Sequence, residues 1–453
     1  MSAIAAIATP NAPGGIGVIR ISGENAVEIA DSVFKSVSGR KLTELRGYSA
    51  LFGHVYDSGT LIDECVALVF RAPKSYTGED VAEISCHGGL YVTQRVLRAV
   101  LSHGAVPAEA GEFTKRAFLN GKIDLAEAES VMNIISAHGQ QALDAALTTL
   151  DGKLSENIRA VASALTNISA AIAVWTDDPD EDVPTAHEEN VREVLSSSME
   201  KLNELIRNFD SGRAVTEGVS TAICGHPNVG KSTLMNLLTG FDRSIVTDVA
   251  GTTRDIVEET VRLGDLVLRL ADTAGIHESD DLVESIGIER SLQKMDTAQL
   301  VLAVFDGSQP LTSDDMLLLE KCRNKRAAAI INKTDLAVQI DIQKIKESIE
   351  DTVMISAANG SGVEELKASL EKILGTARLD TSSGMLANER QYSCCVNAID
   401  SLREATEGLD TGITLDAVNV SIDYAIEKLL ELTGEKAREA VVNEVFSKFC
   451  VGK

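Results

Sequence analysis

Residues 220–238 read STAICGHPNVGKSTLMNLL: an apolar strand, the pattern G-x-x-x-x-G-K-S from Gly225 to Ser232, then a helical run. No other stretch restricts the fold so tightly. The glycines let successive backbone N–H groups curl around phosphate oxygens, and the helix that follows adds the positive end of its dipole. Lys231 would reach the β- and γ-phosphates, and the Ser232 hydroxyl would ligate Mg²⁺. From Gly212 to about Leu379, short apolar strands alternate with helices, the signature of a doubly wound α/β domain around this loop. A bland alternative is a glycine-rich strand-to-helix turn that holds no ligand.

Three further pieces count against that alternative. RLADTAG carries Asp272 at a strand end, placed to hold Mg²⁺ through water, with the Gly275 N–H facing the γ-phosphate. TDVAGTTRD offers Thr253 as a second hydroxyl on Mg²⁺. IINKTD follows an apolar strand and sets the base: Asp335 can accept from both guanine N1–H and the 2-amino group, a donor pair that adenine lacks. Asn332 and Lys333 would brace the loop and cover the purine, with Ser356 and Ala357 of ISAANG closing the pocket. The GTP-binding set is therefore Asn228, Val229, Gly230, Lys231, Ser232 and Thr233 of the first loop; Thr247, Asp248, Val249, Ala250, Gly251, Thr252 and Thr253 of the second; Asp272, Thr273, Ala274 and Gly275 of the third; and the five base-side residues.

One catalytic part is missing. Ras-like GTPases position the attacking water with a glutamine just after the D-x-x-G turn, yet here Ile276 follows Gly275 and no glutamine is near. Glu284, on the helix expected next, is within reach of the γ-phosphate if the loop orders; read alone, it is also an ordinary solvated helix residue. No internal arginine finger answers the developing charge, so a cation must come from elsewhere.

The flanking sequence is different in kind. Residues 1 to about 118 mix strand-like runs (GVIRIS, CVALVF, VAEISC) with turns and a helical stretch near 88–101, a small α/β domain. From Leu143, apolar residues recur at intervals of three and four through Ile172, which predicts one long bundle helix. TDDPDEDVP reads as a solvated loop, Val191–Phe209 resumes the helical period, and Val418, Ile422, Ala425, Leu429 and Leu432 return to it. The economical architecture is a discontinuous helical domain (119–212 and 379–453) with a Ras-like P-loop domain (213–378) inserted, behind an N-terminal domain (1–118). There is no internal repeat.

Composition sets bounds on function. The formal charge of −26 opposes a broad electrostatic grip on nucleic acid, without excluding a local basic groove. Seven cysteines form no C-x-x-C pair and no secretory signal precedes them, which predicts reduced thiols in a cytoplasmic protein. No uninterrupted run of about 18 apolar residues is present, so no membrane span is expected. The chain ends KFCVGK, and either Phe449 and Val451 tuck this tail into a core or the tail belongs to a site.

Longer motifs carry a resemblance. YTGEDVAEISCHGG (76–89), AGEFTKRAFLNGKIDLAEAES (110–130) and LTGEKAREAVVNEVFSKFCVGK (432–453), with the GTPase loops, resemble the signatures of the MnmE family of tRNA-modification GTPases over essentially the whole chain. The resemblance implies a homodimer whose GTP hydrolysis is stimulated by K⁺, held by Asn228, Thr247, Val249 and Thr252, with Glu284 orienting the water. It implies a one-carbon tetrahydrofolate (5-formyl- or methylene-) at Arg20, Glu83, Lys122 and Lys453, where a carboxylate suits pterin donors and cations suit a glutamate tail. It implies Cys450 as a thiol used in tRNA modification, with the FAD protein MnmG as partner in a heterotetramer. Ala110, His277 and Tyr424 depart from the family's usual proline, arginine and arginine, and none belongs to the sets above. The rival reading is a regulatory or ribosome-assembly GTPase switch that modifies nothing. The folate-type signature and the thiol tail favour the first.

Overall fold

The computed structural model describes residues 2–177, 187–241, 259–270, 295–378 and 380–453. It resolves into two compact units, one of residues 1–132, 155–194 and 400–453, the other of residues 133–154 and 195–399.

In the first unit, seven strands form one sheet: β1 Ile4–Ile7, β2 Ile16–Ser22, β3 Phe34–Ser36, β4 Ser49–Asp57, β5 Thr60–Phe70, β6 Val81–His87 and β7 Val106–Pro107, in the order β3-β4-β5-β6-β2-β1-β7. Every pairing is antiparallel except β1 with β7. The period of two divides β2 cleanly: Ile19 and Ile21 are buried, while Val18 and Arg20 lie on the opposite face. Helices Ala26–Val33 and Leu90–Ser102 cover the buried face, adding Val27, Ala30, Val33, Val96 and Val100 to its core. The three strand-like runs lie inside these elements, and the helix read near 88–101 is Leu90–Ser102, beginning two residues later.

The helices of this unit follow their apolar stripes. In Lys153–Asp177, Ile158, Val161, Leu165, Ile168 and Ile172 are buried, and Val418, Ile422, Ala425, Leu429 and Leu432 are buried in Leu415–Thr433. Ser169 Oγ donates to Asp423 Oδ1 at 2.6 Å between these two helices. By length and composition Lys153–Asp177 is apolar enough to cross a membrane, although charged and polar residues interrupt its apolar ones. Its buried stripe with polar residues between is the pattern of a core helix.

The single long helix expected from Leu143 is two. Gln140–Leu150 ends at a turn, Gly152 takes the left-handed conformation at φ 82°, and Lys153–Asp177 begins anew. The interval of four from Leu150 to Leu154 survives the turn, so periodicity cannot register it; the glycine, which closes helices in this conformation, was the available sign. TDDPDEDVP lies largely outside the described residues.

The second unit is built on β8 Val219–Cys224, β9 Glu259–Leu263, β10 Leu266–Leu270, β11 Leu300–Asp306, β12 Ala327–Asn332 and β13 Thr352–Met354. Their order is β13-β12-β11-β8-β10-β9, parallel throughout except the β9–β10 hairpin at one edge. Near-continuous apolar runs such as LVLAVFD and AAAIIN are what a sheet covered on both faces requires. One face packs on Leu234 and Leu238 of helix Lys231–Phe241 and on Leu366 and Leu370 of Val363–Leu374; the other packs on Leu318 and Leu319 of Ser313–Cys322. From β8 the chain passes to β9 and β10 on one side, then to β11, β12 and β13 on the other. The crevice of such a sheet opens at the carboxyl ends of its strands where that order reverses, which here is beside β8. The fold is thus an N-terminal α/β sheet with its helices, and a doubly wound P-loop sheet inserted in sequence between two helical segments.

Candidate nucleotide site and a second charged cluster

The loop after β8 is shaped by backbone constraints. Gly230 stands at φ 95°, and a Cβ there would overlap Asn332 Nδ2, so only glycine fits. Asn228 also takes the left-handed conformation, at φ 65°. Leu234 N donates to Gly230 O at 2.9 Å, which opens helix Lys231–Phe241 directly on the loop. Ser232 and Thr233 are exposed in its first turn, and Val229 is buried beneath the loop.

Asn332 ties the loop to the base side. Its side chain is 2% exposed; Nδ2 donates to Val229 O at 2.9 Å and Oδ1 accepts from Ala357 N at 2.9 Å. A buried amide is tolerated only when both ends are bonded, and here each end holds a different loop. Ser356, fully buried, donates from Oγ to Asp335 Oδ1 at 2.6 Å, which aims that exposed carboxylate. Lys333, left-handed at φ 63°, donates from Nζ to Asp306 Oδ2 at 2.6 Å. Lys231 Nζ donates to Gly225 O and His226 O, both at 2.9 Å, and burial lowers its pKa. Asn228, Val229, Gly230, Lys231, Ser232, Thr233, Asn332, Lys333, Asp335, Ser356 and Ala357 thus gather at the carboxyl ends of β8, β12 and β13. Thr247, Asp248, Val249, Ala250, Gly251, Thr252, Thr253, Asp272, Thr273, Ala274, Gly275 and Glu284, with His277, lie outside the described residues.

A second cluster sits on the polar face of the first unit's sheet. Arg20 of β2 stands directly opposite Glu83 of β6, and its Nε donates to Glu83 Oε1 at 2.8 Å. The guanidinium lies over the rings of Tyr76 and Phe113, 5.3 and 5.6 Å from their centroids, and Nη1 donates to Gly452 O at 3.4 Å. Lys453 Nζ is 5.9 Å from the Tyr76 centroid. Burial is the main influence lowering the Lys453 pKa, the Arg20 charge adds to it, and Glu83 opposes both. Lys122 stands differently: it is exposed, and its ammonium donates to Pro73 O at 3.2 Å.

Comparison with known proteins agrees along the whole length. The family described as GTP-binding protein TrmE N-terminus matches residues 3–122, and that described as MnmE helical domain matches residues 125–450. The tRNA modification GTPase MnmE of Lactobacillus helveticus is 41% identical over 99% of this chain and 98% of its own. The chain belongs to the MnmE family. The protein of that name from Lactiplantibacillus plantarum is 40% identical over the same shares. Among solved structures, the G domain of the T. maritima FeoB iron transporter is 29% identical, covering 35% of this chain and 99% of that one at a TM-score of 0.26.

Within this MnmE-family chain the tail is held by its backbone. Ala110 and Val451 form an antiparallel bridge, Gly111 N donates to Cys450 O at 3.4 Å, and Phe113 N donates to Lys453 O at 3.2 Å. Gly452 lies at φ 99°, where a Cβ would overlap Ile7 O. Phe449 is buried, Val451 is 59% exposed, and Cys450 is exposed while the other six cysteines, Cys394 and Cys395 among them, are buried. Sequence reasoning missed Tyr76, Phe113 and Asp306. Tyr76 and Phe113 each sit inside a quoted family motif, and Asp306 closes the apolar run LVLAVFD at a strand's carboxyl end.

Proposed function

We propose that the chain is a cytoplasmic, homodimeric, K⁺-stimulated GTPase that works with the FAD protein MnmG in a heterotetramer. Together they install an aminomethyl or carboxymethylaminomethyl group at C5 of the wobble uridine of tRNA, using a one-carbon unit from 5-formyl- or methylene-tetrahydrofolate. The observation that carries the reading is the pairing, in one MnmE-family chain, of an Asn332-braced phosphate loop with the Arg20–Glu83–Lys453 cluster. The proposed domains are residues 1–118 for folate binding and dimerisation, 119–212 and 379–453 for the helical domain with its thiol tail, and 213–378 for the G domain.

The residues present fit these ligands. Asp335 offers guanine a paired acceptor, aimed by Ser356, and Lys231 meets the β- and γ-phosphates. Ser232 and Thr253 would hold Mg²⁺, and Asn228, Thr247, Val249 and Thr252 would hold K⁺; these cations neutralise charge developing on the phosphates. Glu284 orients the attacking water. Glu83 suits the donors of a pterin, and Arg20, Lys453 and Lys122 suit its glutamate tail. GTP turnover reorganises the complex and forms no carbon bond, and Cys450 supplies an accessible thiol. The acidic balance of the chain suits a protein that leaves much of the tRNA grip to its partner.

GTPase rates in KCl and NaCl, and for Glu284→Ala in KCl, test the mechanism: the wild type in KCl is fastest, and equal rates in all three contradict it. Mass spectrometry of tRNA nucleosides from a deletion strain tests the biology. Loss of the modified wobble uridine is expected, whereas unchanged wobble uridines would point to a regulatory switch.

A further inference from the structure

Asp306 is the last residue of β11 and lies beside Asn332 in parallel register. Its Oδ2 takes the Lys333 ammonium at 2.6 Å, while Oδ1 takes Ser308 N at 2.9 Å and Ser308 Oγ at 2.6 Å. The turn beneath it is fixed from both sides, since Gly307 N donates to Asn332 O at 2.8 Å and Gln339 N donates to Gly307 O at 2.8 Å. Burial would raise the Asp306 carboxyl, but Lys333 and the two Ser308 donors outweigh it and hold it below the usual carboxylate range. The side chains of Asp306 and Lys333 are only 19% and 32% exposed, so the pair is shielded more than a surface ion pair.

A free lysine samples many rotamers, and a purine that rests on its stem must first immobilise it. Here the left-handed backbone at Lys333 and the Asp306 carboxylate fix both ends of that stem before any ligand arrives. We infer that Asp306 is a positioning residue for guanine-nucleotide binding, clamping the Lys333 ammonium so that the alkyl stem stands as a preformed wall for the purine. The inference rests on the guanine-nucleotide reading of the site. Its effect belongs to preorganisation, which strengthens binding by removing an ordering penalty.

The test measures affinity of the full-length protein for a fluorescent GDP analogue in the wild type, Asp306→Ala, Asp306→Asn, Lys333→Ala and the Asp306→Ala/Lys333→Ala pair. Asp306→Ala is expected to weaken binding about tenfold. Asp306→Asn, which keeps an acceptor for the ammonium, should recover most of that loss. The double variant should bind no more weakly than Lys333→Ala alone, because Asp306 acts through Lys333. Ser308→Ala separates the clamp from the turn: it spares the ion pair and should bind within about twofold of the wild type. Additive losses in the double variant, or a loss in Ser308→Ala equal to that in Asp306→Ala, overturn the clamp in favour of a purely structural turn. Competition with unlabelled ADP distinguishes the two levels. If ADP displaces the analogue as well as GDP does, the guanine reading itself fails; if GDP preference stands and Asp306→Ala binds like the wild type, only the clamp fails.

Discussion

The nucleotide loops and the Arg20 cluster are assembled by opposite means. The loops are short local runs at the ends of parallel strands of one sheet, with a backbone geometry that glycines and Asn332 enforce. The Arg20 cluster joins the Arg20 side chain to a carboxylate 63 positions away and to a backbone carbonyl 432 positions away, brought together by antiparallel register and by a tail bound through its backbone. A site made of backbone leaves a contiguous motif in the sequence, whereas a site made of distant side chains leaves only scattered charges. The first should fail as a unit when its brace is removed. The second should fail by degrees.

The largest effect is expected for Asn332→Ala. It strips the partner from Val229 O and Ala357 N, both buried, at about 1–3 kcal/mol for each group left unmet. GTP affinity should fall roughly a hundredfold or more by calorimetry, with anion binding at the Arg20 cluster unchanged. A loss of less than tenfold would mean that the loops do not depend on a shared brace.

Arg20→Ala comes next. It leaves Glu83 without its cation and removes the charge over Tyr76 and Phe113, but the pair is partly solvated. About 1–2 kcal/mol is expected after that discount, read as a roughly tenfold weaker affinity for 5-formyl-tetrahydrofolate. GTP binding should stay as in the wild type; a parallel loss of GTP affinity would break the contrast between the two regions.

The smallest effect is a pH dependence. Burial, helped by Arg20, puts the folded-state pKa of Lys453 below its unfolded value. The penalty on its charged form is therefore fully present below the folded pKa and is relieved as pH rises through it. Affinity for a carboxylate ligand should move the other way, weakening on the alkaline side at lower pH than an ordinary lysine would give. Lys453→Gln should abolish that limb, and a profile unchanged by this substitution would remove Lys453 from the cluster.

Legibility followed the same division. The strand–loop–helix at Gly225, the alternation around it and the stripes of Lys153–Asp177 and Leu415–Thr433 were readable because period and motif are local properties. The break at Gly152 was not, because the turn preserved the interval of four. Asp306 was invisible for a different reason: its meaning comes from lying beside Asn332 on the next strand, a relation of register. Tyr76 and Phe113 gain theirs only when β2 brings Arg20 across to them. Lys122, grouped with Arg20 by resemblance, is exposed and donates its ammonium to Pro73 O, a placement that one-dimensional likeness cannot supply.

Calorimetric titration of the full-length protein with GTP and with ATP bears most directly on the central claim, that one carboxylate aimed by Ser356 selects the purine. Two hydrogen bonds to a charged acceptor, about 1.5–3 kcal/mol each, predict a preference for GTP on the order of a thousandfold. Equal affinity for ATP would contradict the account.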